Sequence, residues 1–135
     1  MAAAILLLFV FGKMGENPVL SFKQELEAAF LEGGAAAAKE RFLKEHEQRK
    51  DERLSHELAH WLGAQYYLAE GREGVRFCDE TAGFGCFHGF YGMAFANEQD
   101  NFLKSASEFC GLDEDRVRFA ECVHGIGHGV LVNIG

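Results

Sequence analysis

Length, composition and charge limit the classes to which this protein can belong. The chain has 135 residues, 48% of them hydrophobic, and a formal net charge of −8. Such a chain is long and apolar enough for one domain with a buried core, which excludes a disordered tail. The negative charge excludes a nucleic-acid partner, because phosphate binding requires clustered Lys and Arg. Thirteen Phe and a single Pro favour helices over a turn-rich β architecture.

The two ends of the chain are apolar. The N-terminal run is too short to span a bilayer, which takes about 20 apolar residues, but it suits the core of a signal peptide. We therefore interpret residues 1–15 as a signal-like or anchor-like segment, which would tether the protein to a membrane or direct its export. The alternative is a buried N-terminal helix. Residues 16–135 are predicted to be a single helical domain, and the apolar ending Val130–Gly135 indicates truncation at the C-terminus.

Helix signals recur along the chain. Asn17-Pro18 is typical of a helix start, and Gly33-Gly34 of a helix end. No Pro or Gly separates the second and third segments, so these two could form one long helix. The predicted helices cover residues 18–32, 35–50, 51–70, 84–97, 99–109 and 114–133. The predicted fold class is all-α, a small helical bundle or stacked helical hairpins of five to six helices. Its central helices are Gly-rich and carry His.

Five of the six histidines follow one pattern. His56 and His60 are four residues apart, as are His124 and His128, and His88 supplies a single imidazole in similar surroundings. Residues i and i+4 lie on the same face of a helix, so each pair could bind one metal ion. Buried imidazoles at matching positions are explained more simply by a shared ligand than by separate hydrogen bonds.

The four cysteines accompany this pattern. The unit Cys-x-His-Gly occurs at Cys86 and again, 36 residues later, at Cys122. Export would allow two disulfides among the four cysteines, with three connectivities open. Our first choice is the local pairs Cys78–Cys86 and Cys110–Cys122.

Helix geometry separates the roles of Cys and His. At about 100° per residue, each Cys of a Cys-x-His pair points away from its His, so the pair cannot share a metal. We therefore interpret Cys as disulfide-forming and His as metal-ligating. The glycines beside the histidines weaken their helices by about 1 kcal/mol each, which a close helix contact or a bulky cofactor would have to offset. His56 and His60 lie opposite the apolar stripe of their helix, facing a second layer or water.

Several chemistries fit these residues. His56-Glu57-Leu58-Ala59-His60 matches the His-Glu-x-x-His pattern of zinc hydrolases, in which Glu activates water. Two Glu-x-x-His units, beginning at Glu57 and Glu121, match the motif of carboxylate-bridged dimetal bundles. The further carboxylates that such a site requires would come from Glu25, Glu27, Glu45 and Glu108.

The interpretation that we favour is an exported metal-binding protein with a His-rich site. Its predicted ligands are His56, His60, His88, His124 and His128, and Glu57 and Glu121 are the candidate catalytic or bridging residues. Zinc is the favoured ion, and iron, copper or haem are the alternatives, because imidazole suits all of them. The competing hypothesis is a disulfide-stapled helical interaction module without metal, whose protein partner the sequence does not identify.

Overall fold

The protein is all-helical throughout the part that the structure describes. The computed structural model describes residues 18–99, 101–102, 104, 108, 110 and 116–134, and no β-strand occurs among them. Four α-helices have defined bounds, and a 3₁₀ helix, Gly71–Phe77, follows the second. The α-helices are α1 (Pro18–Arg49), α2 (Glu52–Glu70), α3 (Gly85–Glu98) and α4 (Arg116–Ile134). The all-α class is confirmed.

Among the described residues, four α-helices have defined bounds, where the sequence predicted five to six over the whole chain. Residues 18–32 and 35–50 both belong to α1, which is interrupted at Gly34 by backbone angles of φ 70° and ψ −162°. Glycine adopts this positive φ without the steric strain of a side chain. The predicted helix 99–109 is described only at separate positions, so its extent lies outside the described residues.

The interruption at Gly34 folds α1 back on itself. The Arg41 guanidinium lies 4.9 Å from the centre of the Phe22 ring and forms an ion pair with Glu25. Glu25 and Arg41 are 16 residues apart in the chain. In a straight helix this separation would correspond to about 24 Å. The predicted break at Gly33-Gly34 is therefore a turn between two halves of α1 that lie against each other.

α1 and α2 are separate helices, so the predicted alternative of one long helix over residues 35–70 is wrong. Lys50 has a positive φ of 51°, and Asp51 caps the new helix. The Asp51 carboxylate accepts a hydrogen bond from the Leu54 amide at 3.1 Å. Such a cap satisfies one of the free N–H groups of a first helical turn.

The four helices form a row in which each helix packs against the next. α3 lies between α2 and α4, and α1 packs on the other side of α2. α2 therefore has two buried faces. Leu58 and Leu62 contribute to the main core beside α1, where Phe22 and Phe42 are also buried. The opposite face of α2, which carries His56 and His60, meets α3.

Glycines bring the backbones of α2 and α3 into direct contact. A Cβ placed on Gly85 would lie 2.8 Å from the carbonyl oxygen of His56, and one placed on Gly89 would collide with the carbonyl of His60. Both neighbours advance by four residues, so the two helices run in the same direction. The glycines weaken the helices themselves. The close contact between the two backbones is the interaction that offsets this loss.

α3 and α4 meet in the same manner. A Cβ on Gly129 would lie 2.9 Å from the Cα of Gly92, and one on Gly125 would lie 2.8 Å from the Tyr91 ring. The two central helices therefore pack against each other through their glycines. Each of these α4 glycines follows a histidine, so the backbone contact places that histidine at the edge of the interface.

Two disulfides link the central helices to the segments that precede them in the chain. Cys78–Cys86 and Cys110–Cys122 are bonded, with Cα–Cα distances of 5.3 and 5.4 Å, and no free cysteine occurs among the described residues. Both predicted local pairs are confirmed. The Tyr91 hydroxyl lies 2.9 Å from the Cys122 sulfur, and it is the donor because a disulfide sulfur carries no proton.

The prediction for residues 1–15 falls outside the described residues. None of the described helices is both long and apolar enough to cross a membrane.

Replacing Gly89 with Ala should destabilise the fold. The added methyl would collide with the His60 carbonyl, and overpacking of this kind costs about 1–3 kcal/mol. Gly127→Ala is the matched control, since a Cβ there meets no atom within 4 Å and Ala favours a helix by about 1 kcal/mol. Urea denaturation should show a lower free energy of unfolding for Gly89→Ala and no decrease for Gly127→Ala. Equal stability of the two variants would contradict the close contact.

Loss of the Cys78–Cys86 disulfide should lower the free energy of unfolding. The bond closes a loop with a sequence separation of 8 residues, for which the chain-entropy model gives about 2–3 kcal/mol. Urea denaturation of the double variant Cys78→Ser/Cys86→Ser, beside the wild type under oxidising conditions, measures the change. An unchanged midpoint and slope would show that this bond does not stabilise the native state.

Candidate metal centre

Five histidines from three helices converge at the seams on either side of α3. His56 and His60 come from α2, His88 from α3, and His124 and His128 from α4. They form two groups of three, and within each group one ligand atom per residue lies within 4.8 Å of the others. The groups are His56, His60 and His88, and His88, His124 and His128. All five predicted ligands are therefore brought together, and His88 belongs to both groups.

The first group has the nitrogen spacing of a metal site. The Nε2 atoms of His56 and His60 are 3.0 Å apart, and His60 Nε2 is 3.1 Å from His88 Nδ1. Two nitrogens bound to one zinc ion at about 2.05 Å in tetrahedral geometry are about 3.3 Å apart. One ligand atom from each of the three imidazoles lies within 4.8 Å of the others, so the group could hold one ion.

A hydrogen bond to the main chain fixes the orientation of the His56 ring. Its Nδ1 lies 2.7 Å from the carbonyl oxygen of Ala82. A carbonyl only accepts hydrogen bonds, so Nδ1 is the protonated nitrogen and Nε2 carries the lone pair. A backbone carbonyl behind a metal-binding His is the usual device for setting the tautomer and direction of the ring.

Hydrogen bonds alone do not satisfy this group when the rings are neutral. His56 Nε2 can only accept, so its contact requires a proton on His60 Nε2. That single proton cannot also make a full hydrogen bond to His88 Nδ1. If His60 Nε2 instead accepts a hydrogen bond from a protonated His88 Nδ1, the contact with His56 joins two lone pairs. A metal ion would satisfy all three nitrogens at once, since each would offer it a lone pair.

His88 is the buried member of the cluster. Its residue is only 8% exposed, and its Nε2 atom is buried without a hydrogen-bond partner. Burial, reinforced by the neighbouring imidazoles of His60, His128, His124 and His56, lowers the pKa of His88 to about 4. Burial, followed by His56 and His128, also lowers the pKa of His60. Neutral imidazole is the form that binds a metal.

The second group is more open. The ring centre of His88 lies 4.9 Å from that of His124 and 4.8 Å from that of His128. The side chain of His124 is 55% exposed, and its Nδ1 lies 3.6 Å from a carboxylate oxygen of Glu121. This distance is too long for a hydrogen bond but falls within ion-pair range.

The candidate acid–base residues lie outside both groups. Glu57 is exposed on α2, and Glu121 is half-buried beside His124. Two of the carboxylates considered for a bridged dimetal site form ion pairs with arginine instead: Glu25 with Arg41, and the buried Glu45 with both Arg41 and Arg49. Among the described residues, the two groups thus consist of imidazoles and include no carboxylate.

A cleft gives access to the cluster. It has a volume of about 270 Å³ and is lined by His60, His88 and His128 together with small and apolar residues of the same helices. The other lining residues are Gly89, Gly92, Met93, Ala96 and Gly129. A small molecule could therefore approach the ring nitrogens from this side.

The contribution of Ala82 was not apparent in the sequence. Its carbonyl is presented by a loop in which Ala82, Gly83 and Phe84 all have positive φ. The Cys78–Cys86 disulfide spans this loop. A main-chain acceptor in an irregular loop leaves no residue-type signal, so no motif could have identified it.

Comparison with protein families, with curated proteins and with solved structures finds no match to this chain. The assignment of the site therefore depends on its geometry.

The metal-free protein should lose stability in mild acid. The unfolded chain protonates His88 near its ordinary pKa of about 6.5, whereas the folded protein keeps this ring neutral down to about pH 4. Because the unfolded state binds the extra proton, the free energy of unfolding is fully retained above about pH 6.5 and falls as the pH drops towards 4. Urea denaturation between pH 7.5 and 4 measures this slope. NMR of the His88 ring should show no protonation near pH 6.5, and a midpoint there would refute the prediction.

Proposed function

We propose that this is an exported, disulfide-linked helical protein that binds a transition-metal ion, with zinc favoured, through His56, His60 and His88. The observation that carries the proposal is the convergence of three ring nitrogens, in which His60 Nε2 lies 3.0 Å from a nitrogen of His56 and 3.1 Å from one of His88. Neutral imidazoles cannot satisfy both contacts by hydrogen bonding. The two disulfides support export, since such bonds persist in oxidising compartments.

The three imidazole donors limit which metal ions the site could bind. Three imidazoles are typical ligands of zinc, copper, iron and nickel, and the spacing fits the tetrahedral arrangement that zinc prefers. Haem is disfavoured because it needs a flat slot between its ligands. The backbones of α2 and α3 are in direct contact beside His60 and Gly89, which leaves no room there for a macrocycle.

The proposed ion would keep one position for an exogenous ligand. Structural zinc sites use four protein ligands, whereas catalytic sites use three and leave the fourth position to water or substrate. The cleft beside His60 and His88 provides space for such a molecule. A zinc hydrolase of the His-Glu-x-x-His type would in addition require Glu57 to activate that water.

A second candidate is the interaction module without metal, which an exposed apolar groove favours. Leu31 and Leu68 are 89% and 56% exposed, and they line a groove of about 450 Å³ between α1 and α2. This function would need no ion, so metal uptake separates the two candidates.

Metal binding should depend on His60 and not on His46, the histidine outside the cluster. His60→Ala removes the nitrogen that contacts both other ligands, and the affinity for Zn²⁺ should fall more than about 100-fold, since even outer-shell changes cost about 10–100-fold. Isothermal titration of metal-free protein with Zn²⁺ measures this change, with His46→Ala as the matched control. Folded wild-type protein that takes up neither Zn²⁺ nor Cu²⁺ would refute the metal-binding function and favour the interaction module.

A further inference from the structure

His88 lies between two pairs of histidines that do not belong to the same group. His56 and His60 approach it from α2, while His124 and His128 approach it from α4. α2 and α4 pack on different sides of α3. The imidazole of His88 is common to both groups, so two ions, one in each group, would have to share this ring.

The two ring nitrogens of His88 have different surroundings. Nδ1 lies 3.1 Å from His60 Nε2 and therefore belongs to the first group. Nε2 is buried and has no hydrogen-bond partner. A buried polar atom without a partner destabilises a fold, and native structures rarely contain one without a reason.

The second group also has a residue that could orient a ligand. The carboxylate of Glu121 lies 3.6 Å from His124 Nδ1, so a small movement would allow that N–H to donate to it. The ring would then present its other nitrogen as a ligand, as the Ala82 carbonyl makes His56 do. In many metal sites a carboxylate accepts a hydrogen bond from the ring nitrogen of a His ligand that does not bind the metal.

We propose that the cluster holds two divalent transition-metal ions and that the His88 ring bridges them. Nδ1 would bind the ion held with His56 and His60, and Nε2 the ion held with His124 and His128. This inference rests on the proposed function, because the first of the two ions is the one proposed there.

The bridge requires the release of one proton. Neutral His88 carries one N–H and one lone pair, and the first ion uses the lone pair. The second ion takes the other nitrogen, whose proton passes to a buffer base in solvent. The ring becomes an imidazolate that donates one electron pair to each ion, and no electron is transferred.

Copper provides the test, because two Cu²⁺ ions joined through an imidazolate are exchange-coupled and a single bound Cu²⁺ is not. Metal-free full-length protein with intact disulfides is titrated with Cu²⁺ and followed by electron paramagnetic resonance. At one equivalent of Cu²⁺ per protein, we expect a signal that integrates to one spin. At two equivalents, we expect a signal that integrates to clearly fewer than two spins. His46→Ala should behave in the same way.

Three histidine variants test which residues produce the exchange coupling between the two Cu²⁺ ions. Both His56→Ala/His60→Ala and His124→Ala/His128→Ala should bind one uncoupled Cu²⁺, and His88→Ala should show no coupling. Circular dichroism establishes that each variant is folded, and the two double variants keep the test decisive if His88→Ala does not fold.

The alternative outcomes are distinct. Two bound ions with a full two-spin signal, or saturation at one ion, would overturn the bridge. If the single ion is lost in His56→Ala/His60→Ala and retained in His124→Ala/His128→Ala, the proposed function stands without the bridge. No uptake of Cu²⁺ or Zn²⁺ would overturn both.

Discussion

The cluster depends on the direct backbone contact between parallel helices that glycine permits. Gly85 and Gly89 bring α3 against the main chain of His56 and His60, and Gly125 and Gly129 bring α4 against α3. A side chain at any of these four positions would meet atoms of the neighbouring helix at 3.0 Å or less, which packed interiors do not tolerate without movement. Since the helices run in the same direction, four-residue steps keep the imidazoles at matching heights.

The covalent and polar links serve the same geometry. The Cys78–Cys86 bond closes the loop that presents the Ala82 carbonyl to His56. At the other end of α2, the Tyr67 hydroxyl donates to Glu98 at 2.8 Å. The α2–α3 interface is thus fixed on both sides of the histidines. Rigid placement of ligands by the surrounding shell reduces the ordering that metal binding would otherwise require.

Burial sets the electrostatic character of the cluster. Five imidazoles so close together would repel one another if protonated, and His88, which is largely removed from water, is kept neutral. The same burial leaves its Nε2 atom without a partner. A buried polar atom without a partner destabilises the fold, and the metal ion proposed for this ring would supply that partner.

The sequence by itself determined the helical class and the i, i+4 spacing that puts each His pair on one helix face, because these follow from periodicity within single segments. It left three disulfide connectivities open, of which the structure has the two local pairs. It treated the two halves of α1 as separate helices and left open whether His56 and His60 face water. Only the tertiary structure decided that α3 lies between α2 and α4, that His88 is shared, and that Ala82 orients His56 while Glu57 stays exposed. These features arise from contacts between segments distant in the chain. Local periodicity constrains which face a residue occupies, but not which helix that face will meet.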